Sequence, residues 1–299
     1  MEFDDLRAFV TVADTHSVSQ AARQLFLTQP TVTRRLQRLE HALGSPLVDR
    51  RRRPFTLTPA GHDVLERCRR VLHSVRDVQE AIARDGAPAG ELRIGVAHAL
   101  TEITLTEPLD LVRAQFSKVD WRLTTGWSRP LLEQVRSGAL DAAVILLPEA
   151  DVLPSGVKGV EIGKEQLVVV AAKGKTHARR KLADLHGVSW ILNPEGCGAR
   201  AQLRRILQRA SVNMHVALET YNYELQLNLV ARNRGWSLVP SRILHRSRLR
   251  TRLRVLHVDG LRFPMTVWTV VMEAETRLAV VIEHLNRQLI ERLSDADGE

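Results

Sequence analysis

Two short runs near the start of the chain place apolar residues at helical spacing. The first run, over residues 18–25, stands behind Ser17, whose type commonly caps helices, and it predicts a short helix. A tight connection follows over residues 26–28. The second run predicts another helix, because Thr28 can cap it and Pro30 is favoured in a first helical turn.

The second predicted helix has two unlike faces. Its apolar stripe consists of Val32, Leu36, Leu39 and Leu43. The opposite face consists of Pro30, Thr33, Arg34, Gln37, Arg38 and His41. Gly44 is predicted to end the helix, as glycine commonly does just past a C-terminus. One face is thus suited to a core, while the other carries hydrogen-bond donors and positive charge.

This pair of helices predicts a helix-turn-helix whose second helix enters the major groove of DNA. Base contacts are expected from the start of that helix, and the residues assigned to this part of the surface are Thr28, Gln29, Pro30, Thr31, Thr33 and Arg34. Phosphate contacts are expected from Arg35, Arg38 and the run Arg50, Arg51, Arg52 and Arg53. On periodicity alone, a solvated amphipathic surface explains the pattern equally well.

The segments around this pair predict a complete winged domain. Leu6, Phe9, Val10 and Ala13 mark a first helix that completes a three-helix core. Residues 46–57 carry turn formers and two short apolar pieces, which predict a two-stranded wing. The four arginines would lie at its tip, where they could reach phosphate or an adjacent minor groove, or simply solubilise a loop.

A long helix is predicted from Pro59 to about residue 84, capped by Thr58. Its apolar positions alternate by fours and threes, which is the seam of a coiled coil, and they are Val64, Cys68, Val71, Val75, Val78 and Ile82. The pattern predicts a dimer, which would present two recognition helices to two half-sites. The Gly/Pro-rich stretch over residues 85–90 predicts a hinge and a domain boundary.

From Glu91 onward, short apolar strands alternate with helices, which predicts an α/β domain with a mainly parallel sheet. Strands are expected over residues 92–96, 121–125, 142–147, 167–172, 190–192, 216–220, 236–239, 254–258 and 265–272. Helices are expected over residues 103–116, 130–136, 199–208, 224–231 and 276–293. Two such halves, joined by crossing strands, would leave a cleft at the carboxyl ends of the strands.

Segments that follow these strands are the predicted lining of the cleft. They are His98, Ala99, Leu100, Thr101, Gly126, Trp127, Ser128, Leu147, Gly196, Cys197, Tyr221 and Asn222. Strand-to-helix loops aim backbone N–H groups into such a crevice, which suits a carboxylate or a phosphate. Thr101 and Ser128 could donate to that anion, and Trp127 or Tyr221 could supply an aromatic wall.

Composition narrows the class of protein. The chain of 299 residues suits two or three domains, and its 44% hydrophobic and 26% charged residues are ordinary for a soluble globular protein. The first five residues are acidic where a signal peptide is basic, no apolar run is long enough to span a bilayer, and two cysteines provide no disulfide framework. We therefore expect a cytoplasmic protein. A net charge of +9 and a pI near 10.3 favour a polyanionic partner.

The segment SVSQAARQLFLTQPTVTRRLQRLEHALGSPLVDR, with FTLTPAG after it, resembles the N-terminal domain of LysR-type bacterial transcriptional regulators. GELRIGV, GALDA and LVA with GWSLVP resemble the effector-binding domain of that family more loosely. The sequence departs from the pattern at Val48, Lys118 and the stretch Arg232-Asn233-Arg234.

The resemblance implies a winged helix-turn-helix, a long linker helix and an effector domain with two α/β subdomains, like type 2 periplasmic binding proteins. The corresponding domains would be residues 1–58, 59–90 and 91–299. Within the third, subdomain I would comprise 91–162 and 264–299, and subdomain II would comprise 163–263.

The sequence thus predicts a homodimeric or homotetrameric, sequence-specific regulator of transcription that binds double-stranded DNA and a small, anionic effector. The alternative is a constitutive repressor or architectural protein whose C-terminal domain serves oligomerisation only. Catalysis is not expected, because neither metal-ligand spacing nor a nucleophile elbow nor a phosphate loop is present. No cofactor is expected, and a redox role for Cys197 stays open.

Overall fold

The computed structural model describes residues 1–49, 56–81, 88–174, 179–273 and 278–295. The chain divides into two units, one made mainly of the residues before 88 and the other mainly of the residues after it. The predicted wing-tip arginines Arg50 to Arg53, the seam residue Ile82 and residues 82–87 of the linker and hinge lie outside the described residues.

The first unit contains the predicted helices and a small wing. Its elements are α1 (Phe3–Thr15), α2 (Val18–Gln24), α3 (Gln29–Leu43), β1 (Val48–Asp49), β2 (Thr56–Leu57) and α4 (Pro59–Ala81). The caps are those that the sequence indicates. The Ser17 hydroxyl accepts a hydrogen bond from the backbone N–H of Gln20, and Gly44 ends α3 in the left-handed conformation with φ +65°.

Two apolar clusters hold this unit together. One joins α1 to α2 and α3 through Ala8, Val12, Ala21, Ala22 and Val32. The other joins α1 and α3 to the wing and to α4, and it includes Phe9, Leu39, Leu47, Leu65 and Cys68. The apolar faces predicted from the sequence therefore pack together in these two clusters, and α1 and α3 contribute to both.

The wing is fixed to α4 by close backbone contact. β1 and β2 pair antiparallel. The backbone N–H of Thr58 donates to the Leu47 carbonyl at 3.0 Å, and the Thr58 hydroxyl accepts from the backbone N–H of Gly61 at 2.9 Å. A methyl group at Gly61 would overlap the Leu47 carbonyl, so only glycine permits this approach.

The second unit is built on a sheet that two long strands cross. Its strands are β3 (Gly90–Ala97), β4 (Val119–Gly126), β5 (Ala142–Pro148), β6 (Val157–Ala172), β7 (Arg179–Arg180), β8 (Ser189–Leu192), β9 (His215–Glu219), β10 (Ser237–Pro240), β11 (Leu253–Val258) and β12 (Phe263–Met272). The large sheet runs in the order β4-β3-β5-β12-β6-β11-β7, and β10 also pairs with β6. β8 and β9 form a separate parallel pair.

Helices cover this framework. They are α5 (Thr101–Thr104), α6 (Glu107–Gln115), α7 (Ser128–Arg136), α8 (Gly198–Arg209), α9 (Tyr223–Ala231), α10 (Ser241–Arg246) and α11 (Ala279–Asp295). β5 has buried side chains from Ala142 to Leu147, which explains its unbroken apolar sequence as that of a central strand. No helix in the described part of the chain combines the length and the apolarity needed to cross a membrane.

The expectation of a mainly parallel sheet is wrong. β3 is parallel to β4 and β5, but β12 is antiparallel to both β5 and β6, and β6 is antiparallel to β10 and β11. The sheet is therefore mixed. The cause is that β6 and β12 run through both halves of the unit in opposite directions, which a reading of local periodicity does not detect.

Two predicted elements also differ in extent. The helix expected over 103–116 is interrupted, because α5 ends at Thr104 and α6 starts again at Glu107. Pro108 lacks the N–H that a continuous helix would need there. The strand expected over 167–172 begins at Val157, since its first half pairs with β12 despite two glycines and several charges.

Candidate DNA-reading and effector sites

The start of α3 presents an exposed polar edge. Thr28 caps the helix by accepting from the backbone N–H of Thr31, and the two hydroxyl oxygens lie 2.8 Å apart. Gln29 and Pro30 are exposed, and Thr33 is half-buried. Arg34 is also exposed and has no ion pair within the described residues. This edge is therefore accessible to a partner, and the base contacts expected from it remain a prediction.

The next basic residues of α3 are bound to α1. The Arg35 guanidinium lies 2.7 Å from the Asp4 carboxylate. Arg38 donates through Nε and Nη2 to Asp5, with a shortest distance of 2.6 Å, and also to Glu2 at 2.8 Å. The sequence assigned Arg35 and Arg38 to phosphate, whereas the structure engages both charges in holding the recognition helix against α1.

Asp5 lies at the buried end of this network, with its side chain fully shielded from solvent. Burial alone would raise its pKa, but the hydrogen bonds from Arg38 and from the backbone N–H of Glu2 outweigh that effect. The pKa of Asp5 therefore lies below its ordinary value, and the carboxylate stays charged at neutral pH. The acidic start of the chain thus has a structural role that its sequence pattern did not reveal.

The predicted seam residues of α4 divide into two groups. Val64 and Cys68 pack into the core of the first unit, and burial raises the pKa of the Cys68 thiol to about 11. Val71 and Val78 are exposed by 46% and 66%. With Val75 they line an open apolar groove, flanked by Arg67, Arg70 and Ser74. The predicted seam is thus shorter than expected, because its first two positions are occupied by contacts within the chain.

A cavity of about 630 Å³ lies between the two halves of the second unit. On one side it is lined by residues at the ends of the parallel strands β3, β4 and β5, including His98, Ala99, Trp127, Ser128 and Leu147. On the other side it is lined by Gly196, Cys197 and the beginning of α8. Its size is typical of small-molecule sites, and its place agrees with the rule that α/β sheets bind ligands beyond strand carboxyl ends.

Three rings separate this cavity from a smaller one. Trp127 stacks on Tyr221 with ring centroids 5.5 Å apart, and His98 contacts both rings at 4.9 and 5.0 Å. Trp127 also lies on the backbone of Gly196, where an added Cβ would be 2.6 Å from the indole. The cluster joins loops that follow β3 and β4 to loops that follow β8 and β9, so it bridges the cleft.

The smaller cavity, of about 430 Å³, receives the remaining predicted residues. Thr101, Tyr221 and Asn222 line it, and His98 and Ala99 border both cavities. Leu100 is buried in the core, and Gly126 packs on Leu131, so neither lines a cavity. The sequence placed all twelve residues in one site, whereas the structure divides most of them between two.

A model of the bacterial regulatory helix-turn-helix protein, lysR family, matches residues 3–62. A model of the LysR substrate binding domain matches residues 85–293. The chain belongs to the LysR family. It is a DNA-binding transcriptional regulator controlled by a small-molecule effector.

Individual relatives and solved structures are similar to the chain. The HTH-type transcriptional regulator YofA of Bacillus velezensis is 30% identical over 241 residues, which cover 81% of each chain. A full-length OxyR variant from Pseudomonas aeruginosa has the same fold, with a TM-score of 0.73, 21% identity and coverage of 97% and 98%. CbnR in complex with its target DNA has a TM-score of 0.57, 25% identity and coverage of 96% and 100%.

The larger cleft cavity of this LysR-family chain is lined by three arginines, which differ in their ion-pair partners. Arg129 pairs with Asp151 at 2.6 Å, and Arg204 pairs with Glu195. Arg205 is exposed, lines the cavity and has no ion pair within the described residues. The lining predicted from the sequence did not include these arginines. Arginines on a helix usually face solvent, and only the tertiary structure shows that these three border a cavity.

The polar groups of the cleft are constrained by their existing hydrogen bonds. The Thr101 hydroxyl donates to the His98 carbonyl at 3.0 Å, so it is not available as the anion donor that the sequence suggested. The Ser128 hydroxyl accepts from the backbone N–H of Leu146 at 3.1 Å, which leaves its own proton free to donate. Burial lowers the pKa of His98, so its imidazole is neutral at pH 7.

Two groups near α8 are held in their neutral forms. Burial raises the pKa of the Cys197 thiol, although backbone N–H groups at the start of α8 and the charge of Arg200 act in the opposite direction. Burial also raises the pKa of Tyr223, which borders both cavities. A neutral thiol is a poor nucleophile, so its environment argues against a reactive Cys197. The phenol of Tyr223 stays protonated and can donate a hydrogen bond.

Proposed function

We propose that this regulator reads DNA through the exposed start of α3 and binds a small anion in the larger cleft cavity. The carrying observation is a contrast along α3. Within the described residues, Arg34 and the first turn form no ion pairs, whereas Arg35 and Arg38 pair with acidic residues of α1. The residues proposed to meet the DNA are Thr28, Gln29, Pro30, Thr31, Thr33 and Arg34. Gln and Arg pair bidentately with adenine and guanine, which gives this edge its specificity.

We propose that the effector carries a carboxylate or a phosphate, which Arg205 and the Ser128 hydroxyl recognise. Leu146, Leu167 and Met265 supply apolar contacts in the same cavity. Since His98 is neutral, it contributes a hydrogen bond but no charge. The effector shifts the equilibrium between open and closed clefts, and the size of the shift equals the difference in its affinity for the two arrangements of the subdomains.

We further propose that the protein works in the cytoplasm without catalysis, as a homodimer or homotetramer that associates through the exposed valines of α4. The domain limits proposed from the sequence, at residues 58 and 90, are retained. The membership in a family of transcriptional regulators supports these assignments.

The DNA-reading proposal is tested by enriching duplexes from a random-sequence library with the full-length chain. We expect a defined sequence to be enriched, and Arg34→Ala to weaken its binding by about tenfold to a hundredfold, the range for one bidentate base contact. Arg7→Ala, on the exposed face of α1, removes the same charge away from α3 and serves as the control. Equal losses in the two variants would contradict readout by Arg34.

The effector proposal is tested by thermal unfolding of the full-length chain with a panel of carboxylates, aromatic acids, amino acids and phosphorylated metabolites. A ligand at 100 times its Kd adds roughly 2.7 kcal/mol to the free energy of unfolding. Arg205→Ala should remove the response, while Arg209→Ala, on the same helix but outside the cavity, should retain it. No response across the panel would favour the oligomerisation-only alternative.

A further inference from the structure

Phe26 stands out in the connection between α2 and α3. Its side chain is 96% exposed, whereas its neighbours Leu25 and Leu27 pack against the core of the first unit. A solvent-exposed phenylalanine contributes nothing to that core. Scattered apolar residues do occur on protein surfaces, so exposure alone does not assign a role.

The backbone supplies a second observation. Phe26 has φ +55°, in the left-handed region, where residues with a side chain are strained and glycine is not. The turn of a helix-turn-helix often contains glycine for this reason. The other non-glycine residues with positive φ in the described chain are His16, Ser211 and Asn233, all of them polar. Phe26 is the one large apolar residue in this set.

Phe26 lies next to the start of α3, and this position indicates a function for its strained conformation. Thr28, two residues later, caps α3, and Gln29 follows at the exposed start of that helix. The start of a recognition helix is the part that reaches base edges in the major groove. Among apolar side chains, phenylalanine is one that contacts the methyl group of thymine there. Backbone strain kept beside such a surface is typical of functional positions.

We propose that Phe26 is an apolar DNA contact that packs on a thymine methyl group beside the start of α3. The inference rests on the proposed DNA-reading function of α3. The inference adds an apolar residue that precedes α3 to the polar residues proposed to contact DNA, and it names thymine as the base that Phe26 recognises. The contact explains why an exposed phenylalanine occupies a position where glycine or asparagine is less strained.

The experiment uses a duplex enriched from the random library by the wild-type full-length chain. Phe26→Asn, which suits a positive φ, should bind that duplex about tenfold more weakly, since the burial of part of the ring is lost. Phe26→Tyr keeps the ring and should bind within about twofold of wild type. The midpoint of thermal unfolding should not fall in Phe26→Asn, so that weaker binding cannot be attributed to misfolding.

Two further measurements identify the contact. The dependence of binding on salt should keep its slope, because no phosphate partner is removed. Replacing single thymines of the duplex by uracil, which lacks the methyl group, should weaken wild-type binding at one position of a half-site and leave Phe26→Asn unaffected there. Val152→Asn, at another highly exposed apolar residue far along the chain from α3, is the control.

Equal affinities of wild type and Phe26→Asn would overturn the proposal. So would a loss in Phe26→Asn that no uracil replacement reproduces, since the thymine contact would then be absent. Failure of the wild-type chain to enrich any sequence is a separate result, which contradicts the proposed function of α3 itself.

Discussion

Trp127 stacks on Tyr221 across the cleft of the effector domain, with ring planes inclined by 29° and centroids 5.5 Å apart. The two rings belong to loops from opposite sides of the cleft, and His98 touches both. The stack therefore links the two subdomains at the boundary between the two cavities. Its contribution to the stability of the domain can be measured by unfolding.

Tyr221→Ala should lower the free energy of unfolding of the effector domain by about 1 kcal/mol, the usual contribution of an aromatic pair. The midpoint should fall by about 2–4 °C. Tryptophan fluorescence is a suitable probe, because all five tryptophans lie between residues 121 and 268. Tyr221→Phe retains the ring and is the control. An unchanged midpoint in Tyr221→Ala would show that the stack adds no stability.

Gly196→Ala should destabilise the same domain by about 1–3 kcal/mol. The residue has φ +96°, and the new methyl group would lie 2.6 Å from the Trp127 indole. Trp127 would have to leave its position, so its emission should move to longer wavelength. Gly198→Ala tests the same turn where nothing lies within 4 Å of the added group. Similar effects of the two changes would contradict the argument from close packing.

Arg38→Ala should lower the midpoint of unfolding of the first unit, because it leaves the Asp5 carboxylate without its main partner. The effect should be smaller than that of breaking a fully buried pair, since the Arg38 side chain is 43% exposed. Thermal unfolding followed by far-ultraviolet circular dichroism is the measurement. Arg34→Ala on the same helix should leave the midpoint unchanged. An equal effect of both changes would contradict the conclusion that Arg38 stabilises the unit and Arg34 does not.

Acid should remove the stabilisation that Asp5 provides. Its pKa is lower in the folded chain than the ordinary value of 3.8, so its contribution is fully present above about pH 4. It is lost as the pH falls through the lowered folded value. Asp5→Asn should therefore lose less stability than wild type between pH 4 and strongly acidic solution, as measured by circular dichroism. Parallel losses in both proteins would show that other carboxylates dominate.

Val78→Glu and Val71→Glu should shift the protein from dimers or larger assemblies toward monomers, because they place charge on the exposed apolar face of α4. Sedimentation velocity at several protein concentrations measures this. Val152→Glu changes a valine that is 91% exposed elsewhere and should leave the assembly intact. An unaltered assembly in the α4 variants would remove these valines from the proposed interface.

The sequence by itself determined the features that depend on neighbours along the chain. The caps at Ser17, Thr28 and Gly44 and the stripe of α3 follow from local hydrogen bonding and from the period of the helix. These rules need no knowledge of distant residues. They were sufficient to place the helix-turn-helix and, with the family resemblance, to indicate a DNA-binding regulator.

Only the tertiary structure decided which groups far apart in the chain meet. The pairing of Arg38 with Asp5 spans 33 positions, and Trp127 meets Tyr221 from another part of the domain. Whether an arginine holds a neighbouring helix or remains free for a ligand depends on such contacts. The same is true of the predicted seam of α4, since the burial of Cys68 and the exposure of Val78 arise from packing that a repeat along one helix does not encode.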